Sequence, residues 1–150
     1  MRLLLSVVSS ASVAIPEKDY RASIGKGLLI YVGITHEDIL TANEKIAHIV
    51  GKLRSLQIFH IDGKLQGSLE SVGGEVLLIS NFTLYGENKK GNRFDFGASA
   101  WFADAEKVYN NVIVALNSEL QPTEVKTGLF GEYMVVESVN DGPINILWEI

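Results

Sequence analysis

Seven consecutive residues, Leu28 to Ile34, carry no charge and no polar side-chain group except the Tyr31 hydroxyl. The run is far shorter than the ~20 residues of a membrane-spanning helix. It reads instead as a central strand buried on both faces. The stretch Glu75 to Phe82 reads as a second buried strand. Segments 2–8 and 11–15 read as extended, Pro16 to Tyr20 as a turn, and Arg21 to Ile24 as the return arm of a hairpin closed by Gly25-Lys26-Gly27. Further strands are expected at Gln57–Ile61, ending in the turn Asp62-Gly63, and at Val125–Thr127. Tyr133–Val139 and Ile144–Trp148 read as two last strands with Asn140-Asp141-Gly142-Pro143 as the turn between them. Gly86 to Gly97 reads as a polar loop.

Two segments change period. Thr41-Ala42-Asn43-Glu44 matches a capping box, with Thr41 and Glu44 each capping the other's amide. Ile46, Ile49, Val50, Leu53 and Leu56 then recur at helical spacing. A second helix is expected from about Ser99 to Leu120. Its apolar stripe is Phe102, Ala105, Val108, Tyr109, Val112, Ile113 and Leu116, with Pro122 just beyond its end. Many strands and two helices that do not alternate regularly with them give an α+β chain with a largely antiparallel sheet. No linker or repeat divides residues 1–150, so one domain is expected.

Composition narrows the chemistry. The chain has no cysteine, which removes disulfides, thiolate nucleophiles and thiolate metal sites. The net charge of −5 argues against a broad electrostatic grip on duplex nucleic acid, so DNA is not an expected partner. Met1 to Val8 begins with a positive charge and an apolar stretch, but Ser6, Ser9 and Ser10 interrupt it. It reads as a first strand, and the expected location is the cytoplasm, with no membrane partner. His36, His48 and His60 form no ligand spacing, so no metal and no cofactor are expected. No GxSxG, GxxxxGK[ST] or GxGxxG motif is present.

Two polar segments stand out. Ser80-Asn81-Phe82-Thr83-Leu84-Tyr85 ends a buried strand in hydroxyls and an amide, which must find backbone partners or face a pocket. Asn140-Asp141-Gly142-Pro143-Ile144-Asn145 is either an ordinary tight turn or a rigid one that pushes carbonyls outward. Lys89, Lys90 and Arg93 form a local basic cluster interleaved with Phe94 and Phe96.

Taken in order along the chain, these segments resemble the D-aminoacyl-tRNA deacylase family, also called D-tyrosyl-tRNA deacylases. The resemblance runs from Met1 to Glu149. It is carried by Met1-Arg2-Leu3, Ala11-Ser12-Val13, Ile24-Gly25-Lys26-Gly27-Leu28-Leu29, Val32-Gly33, Asp62-Gly63-Lys64 and Val72-Gly73-Gly74-Glu75. It continues through Ser80 to Tyr85, Lys89-Lys90-Gly91, Phe96, Thr127-Gly128-Leu129-Phe130-Gly131, Met134 and Val139 to Pro143.

The resemblance implies a barrel-like core and a homodimer with its site at the subunit interface. It implies hydrolysis of the ester at the 3′ end of D-aminoacyl-tRNA, and of Gly-tRNA, as chiral proofreading. Ser80, Asn81 and Thr83 would form the catalytic strand end, with an RNA hydroxyl assisting. Gly142 and Pro143, joined by a cis bond, would reject L-residues, with Asn140 and Asn145 beside them. Phe82 would hold the terminal adenosine, and Lys89, Lys90 and Arg93 would bind tRNA. An activated ester needs positioning and an oxyanion environment more than a protein nucleophile.

This chain departs from the family pattern at several places. Asn81 stands for a glutamine, Asn145 for a threonine, and Val7 for an arginine that braces the Gly-Pro turn. Lys64-Leu65-Gln66 replaces Lys-Met-Asn, and Asn92-Arg93-Phe94-Asp95-Phe96 replaces Arg-Arg-Pro-Ser-Phe. A shorter amide reaches different partners, valine has none of the five donors of arginine, and Asp95 lowers the local positive charge. The alternative reading is a divergent paralogue that binds an aminoacyl-tRNA or another RNA end with altered or lost deacylase activity.

Overall fold

A computed structural model describes residues 1–150 except the Lys90 side chain. Its first strand, β1 (Arg2–Ile15), organises the sheet. Residues 2–8 of β1 pair antiparallel with β3 (Gly27–Gly33), and residues 11–15 with β2 (Tyr20–Ile24). Along its other edge β1 is followed by β10 (Val135–Glu149). β3 pairs in parallel with β6 (Glu75–Ser80), and β6 with β9 (Val125–Thr127). The sheet order is β10-β1-β3-β6-β9 with β2 on β1.

Side chains close this sheet into a barrel-like form. The Tyr20 hydroxyl on β2 donates to the Thr127 carbonyl on β9 at 2.8 Å, and Lys126 Nζ reaches the Ser23 carbonyl at 2.8 Å. Small and branched residues fill the enclosed face: Val8, Ala11, Val13, Ile24, Leu29, Leu77 and Ile79. The opposite face carries Leu3, Leu5, Val7, Leu28, Ile30, Val32, Val76 and Leu78. Two helices cover it, α1 (Ala42–Ser55) and α2 (Phe102–Glu119), through Ile46, Ile49, Leu53, Val108, Val112 and Leu116. The continuous apolar runs are therefore explained: both faces of β3 and β6 are covered.

Alternation along β1 places residues 3, 5 and 7 on the helix side but 8, 11 and 13 inside the barrel. The phase changes where Val8 and Ser10 pair with the adjacent residues Asn140 and Val139. That extra residue, the exposed Ser9, is a bulge, and it lets one strand serve two partners. The break expected at residues 9–10 is thus a bulge within a single strand.

Other expectations need correction. Thr41 sits at the start of α1 but makes no side-chain cap. A 3-10 turn (Glu37–Ile39) leads directly into the helix, so Thr41 has φ −116° and ψ 15°, outside the extended geometry from which a capping hydroxyl reaches its amide. Phe102 begins α2 instead of lying inside it. Its ring is exposed and meets Phe130 edge-on at 5.0 Å. The expected loop 86–97 contains a hairpin, β7 (Glu87–Lys90) and β8 (Arg93–Asp95). A second small hairpin, β4 (Phe59–Ile61) and β5 (Lys64–Gly67), turns at Asp62-Gly63, both with positive φ. The strands expected on either side of Asn140–Pro143 are one strand, β10. No described helix is long and apolar enough to cross a membrane.

The start of β1 is pinned electrostatically. The buried Met1 ammonium contacts Asp38 Oδ1 at 2.5 Å, and Lys45 Nζ contacts the same oxygen at 2.5 Å. The Thr35 amide and hydroxyl donate to Asp38 Oδ2 at 2.7 and 2.9 Å. Burial pushes the Asp38 carboxyl up, but the hydrogen bonds from Lys45, the Met1 ammonium and Thr35 outweigh it and hold it below its ordinary value of 3.8. Asp38→Ala is expected to cost ~3 kcal/mol or more in urea unfolding, because it leaves a buried ammonium unpaired. The folded carboxyl binds its proton more weakly than the unfolded one. Its contribution is therefore complete above the unfolded value and fades as pH falls through the folded one, a slope that Asp38→Ala should remove.

Candidate functional site

Four of the singled-out residues lie together where β6 ends. β6 stops at the half-buried Ser80, and the chain then forms a 3-10 turn (Phe82–Tyr85). Asn81 caps that turn. Its Oδ1 accepts the Thr83 amide at 3.0 Å and the Thr83 hydroxyl at 2.5 Å. Asparagine is short enough to fold back this way and is among the strongest capping residues. The Asn81 side chain therefore acts locally, fixing the Thr83 hydroxyl. An amide oxygen is not a base, so this bond orients Thr83 without activating it as a nucleophile.

The turn is held from outside by a residue that the sequence reading did not single out. Arg2 Nη1 donates to the Leu84 carbonyl at 2.5 Å, and the Arg2 guanidinium lies 4.6 Å from the centre of the Tyr85 ring. Glu149 on β10 takes the other side of Arg2 in an ion pair. Burial first, and the negative charge of Asp38 next, push the Tyr85 hydroxyl up to about 12, so it is neutral and can donate a hydrogen bond at physiological pH. A lone Arg at the first residue of a strand gave no signal of this role.

Phe82 is exposed and meets Phe96 edge-on at 5.2 Å, which sets the β7–β8 hairpin beside the turn. The Ser99 hydroxyl donates to the Phe82 carbonyl at 3.0 Å. On the hairpin, Lys89 Nζ lies 3.1 Å from Glu87 and 3.3 Å from Asp95, so its charge is locally balanced. Arg93 is exposed, and the Lys90 side chain lies outside the described residues. No group of histidine and carboxylate residues that could hold a metal occurs among the described residues.

The second cluster lies on β10. Ser6 pairs with Asn145 and Val8 with Asn140, so the single residue Val7 faces the four residues Asp141–Ile144. The excess forms an outward excursion, not a hairpin turn. Gly142 has φ +132°, and a Cβ there would lie 2.7 Å from the Ile144 amide nitrogen, so only glycine suits the position. The Gly142–Pro143 bond is cis. Asp141, Gly142 and Pro143 are all exposed.

The two clusters do not meet within one chain. Ser80 is level with Leu3 across β3, and the excursion is level with Val7 on the far side of β1. Three strand spacings and about four residues of rise separate them by roughly 20 Å.

A family model described as D-Tyr-tRNA(Tyr) deacylase matches residues 4–149. A D-aminoacyl-tRNA deacylase of Cytophaga hutchinsonii is 40% identical over 148 residues, covering 98% of this chain and 95% of the relative. One of Bacillus licheniformis is 40% identical over 152 residues, covering 99% and 98%. Among solved structures, one described as a c-Myc DNA unwinding element binding protein matches at TM-score 0.88 and 33% identity, covering 100% of this chain and 99% of that one. Another, described as a probable eukaryotic D-amino acid tRNA deacylase, matches at TM-score 0.83 over 99% and 98% of the two chains. At 17% identity it bears on the fold alone.

Asn81→Ala removes the cap on the turn and is expected to cost ~1 kcal/mol, read as faster hydrogen exchange at the Thr83 amide by several-fold. An unchanged rate would show that Asn81 does not hold the turn.

Proposed function

The chain belongs to the D-Tyr-tRNA(Tyr) deacylase family, a family of ester hydrolases, and we propose that it cleaves D-aminoacyl-tRNA, and Gly-tRNA, at a site shared between two copies of itself. The observation that carries the shared site is the separation of the two clusters, roughly 20 Å apart in one chain by strand geometry. A small aminoacyl ester cannot touch Thr83 and Pro143 of the same copy at that distance.

A second copy removes the difficulty. β10 is an edge strand, with no strand paired to its outer side among the described residues. Val135, Val139, Ile146 and Leu147 on it are exposed apolar residues. An edge with that much exposed apolar surface favours burial against a partner. The excursion stands out from the same strand, so docking of β10 would carry Gly142 and Pro143 of one copy toward the Ser80–Thr83 strand end of the other. Their backbone carbonyls would face the α-carbon of the substrate and leave room for hydrogen, but not for the side chain of an L-residue.

The chemistry follows from what the strand end lacks. Thr83 is held by Asn81 and has no base among its bonded partners. Water therefore attacks the ester carbon, assisted by the ribose hydroxyl next to the ester. The acyl–oxygen bond breaks, the ribose oxygen regains a proton, and the amino acid leaves as its carboxylate. The Ser80 hydroxyl stabilises the oxyanion. Phe82, exposed beside Phe96, offers a ring face for the terminal adenine. Arg93 and the two neighbouring lysines steer the acceptor end, in the cytoplasm where charged tRNA is found. Lys89 contributes least, because Glu87 and Asp95 already balance it.

The test is a deacylation time course with catalytic amounts of protein on D-Tyr-tRNA, L-Tyr-tRNA and Gly-tRNA. Loss of the D and glycyl esters with the L ester intact is the expected result. Absence of turnover on all three by a folded protein would overturn this reading and favour a binding paralogue.

A further inference from the structure

The family pattern places an arginine at position 7 to brace the Gly-Pro segment, and this chain has a buried valine there. The excursion is nevertheless tied down, by a different set of groups. Asn140 and Asn145 stand at its two ends and exchange side-chain hydrogen bonds: each Nδ2 donates to the other's Oδ1 at 3.2 Å. The Ser6 hydroxyl on β1 donates to Asn145 Oδ1 at 2.6 Å. Asn140 Nδ2 also donates to the Val7 carbonyl at 2.9 Å.

We infer that Ser6, Asn140 and Asn145 form a clamp across the neck of the Asp141–Ile144 excursion, and that this clamp positions the Gly142 and Pro143 carbonyls for chiral selection. The positioning role rests on the reading of those carbonyls as selectors given above. The three side chains are positioning residues, since none of them needs to touch the substrate.

The geometry suits the task. Four residues span the gap left by one, so the excursion has no cross-strand partner of its own between Asn140 and Asn145. Ladder bonds hold it only where it leaves and rejoins the sheet. A planar amide at each end closes the neck as a two-bond ring. Ser6 and the Val7 carbonyl then fix that ring to β1, which β3 holds in turn. Each amide uses three of its four hydrogen-bonding positions: Asn145 accepts twice and donates once, and Asn140 donates twice and accepts once. Threonine at 145 could not make the reciprocal pair, because it has a single hydroxyl. The departures at 7 and 145 are thereby linked, since the amide pair and the Val7 carbonyl act where the arginine is missing. Ser6 carried a weak sequence signal, a hydroxyl between two buried apolar residues.

Two readouts separate the clamp from the function it serves. The first is hydrogen exchange at the ladder residues that flank the excursion, Val139, Asn140, Asn145 and Ile146, which needs no substrate. Asn145→Ala is expected to speed it about tenfold or more, because the amide pair with Asn140 and the bond from Ser6 are lost. Asn145→Asp is isosteric and keeps the bonds from Ser6 and Asn140 while losing one donor, so it should fall between. Ser6→Ala should act in the same direction, and the Ser6→Ala/Asn145→Ala pair should be non-additive. Unchanged exchange in all these variants would overturn the clamp, whatever the activity.

The second readout is the ratio of kcat/KM on D-Tyr-tRNA to that on L-Tyr-tRNA. A loosened excursion should admit the L ester, so the ratio should fall about tenfold or more in Asn145→Ala and be partly restored in Asn145→Asp. A merely structural loss would lower both rates together and leave the ratio unchanged, and that result would overturn the selection role. Faster exchange in the variants, together with a wild-type protein inactive on every ester, would instead overturn the function while leaving the clamp in place.

Discussion

β10 carries four residues, Asp141–Ile144, where β1 offers only Val7 between two paired positions. β1 cannot bend to absorb the excess, because β3 holds its first half and β2 its second half along the other edge. The surplus therefore goes outward, on a strand at the edge of the sheet with no further strand paired to it among the described residues. Everything distinctive about the second cluster follows: its exposure, the positive φ of Gly142 and the amide pair that closes its neck.

The same strand also sets the first cluster. The Met1 ammonium and Asp38 pin the start of β1, and the Ile150 amide donates to the Met1 carbonyl at 2.9 Å. That anchoring aligns Arg2 with Glu149 on one side and Gly33 on the other. Arg2 then reaches the Leu84 carbonyl and steadies the turn that carries Thr83. One strand thus sets both clusters, at separate places on the sheet. Neither resembles a hydrolase triad, which is in keeping with a substrate that is itself an activated ester.

Much of this was legible in the sequence, and the remainder fails for definite reasons. The buried runs of β3 and β6 and the stripes of the two helices were plain, because burial of whole faces sets the period. The break at Ser9 and Ser10 was visible, but a bulge and a strand end look alike until the partner's register is known. Asn140-Asp141-Gly142-Pro143 has turn composition and reads naturally as a hairpin. Only pairing of both flanks with β1 reveals one continuous strand with an excursion. The Thr41 box failed because the chain enters α1 through a 3-10 turn. Asn81 read as a shortened catalytic amide, and its capping of Thr83 depends on backbone geometry that no spacing rule encodes. Ser6 acts across 139 residues of chain and Arg2 across 82, distances that no local pattern spans.

The central claim is that the two half-sites complete each other between copies, and complementation tests it most directly. One variant, Thr83→Arg, blocks the strand end, and another, Gly142→Val, distorts the excursion. Each should be inactive alone on D-Tyr-tRNA. Mixed in equal amounts and allowed to exchange partners, they should recover about a quarter of the wild-type sites, since half the dimers are mixed and each holds one intact pair. A mixture no more active than the separate variants, with exchange verified, would contradict the account and place the whole site within one chain.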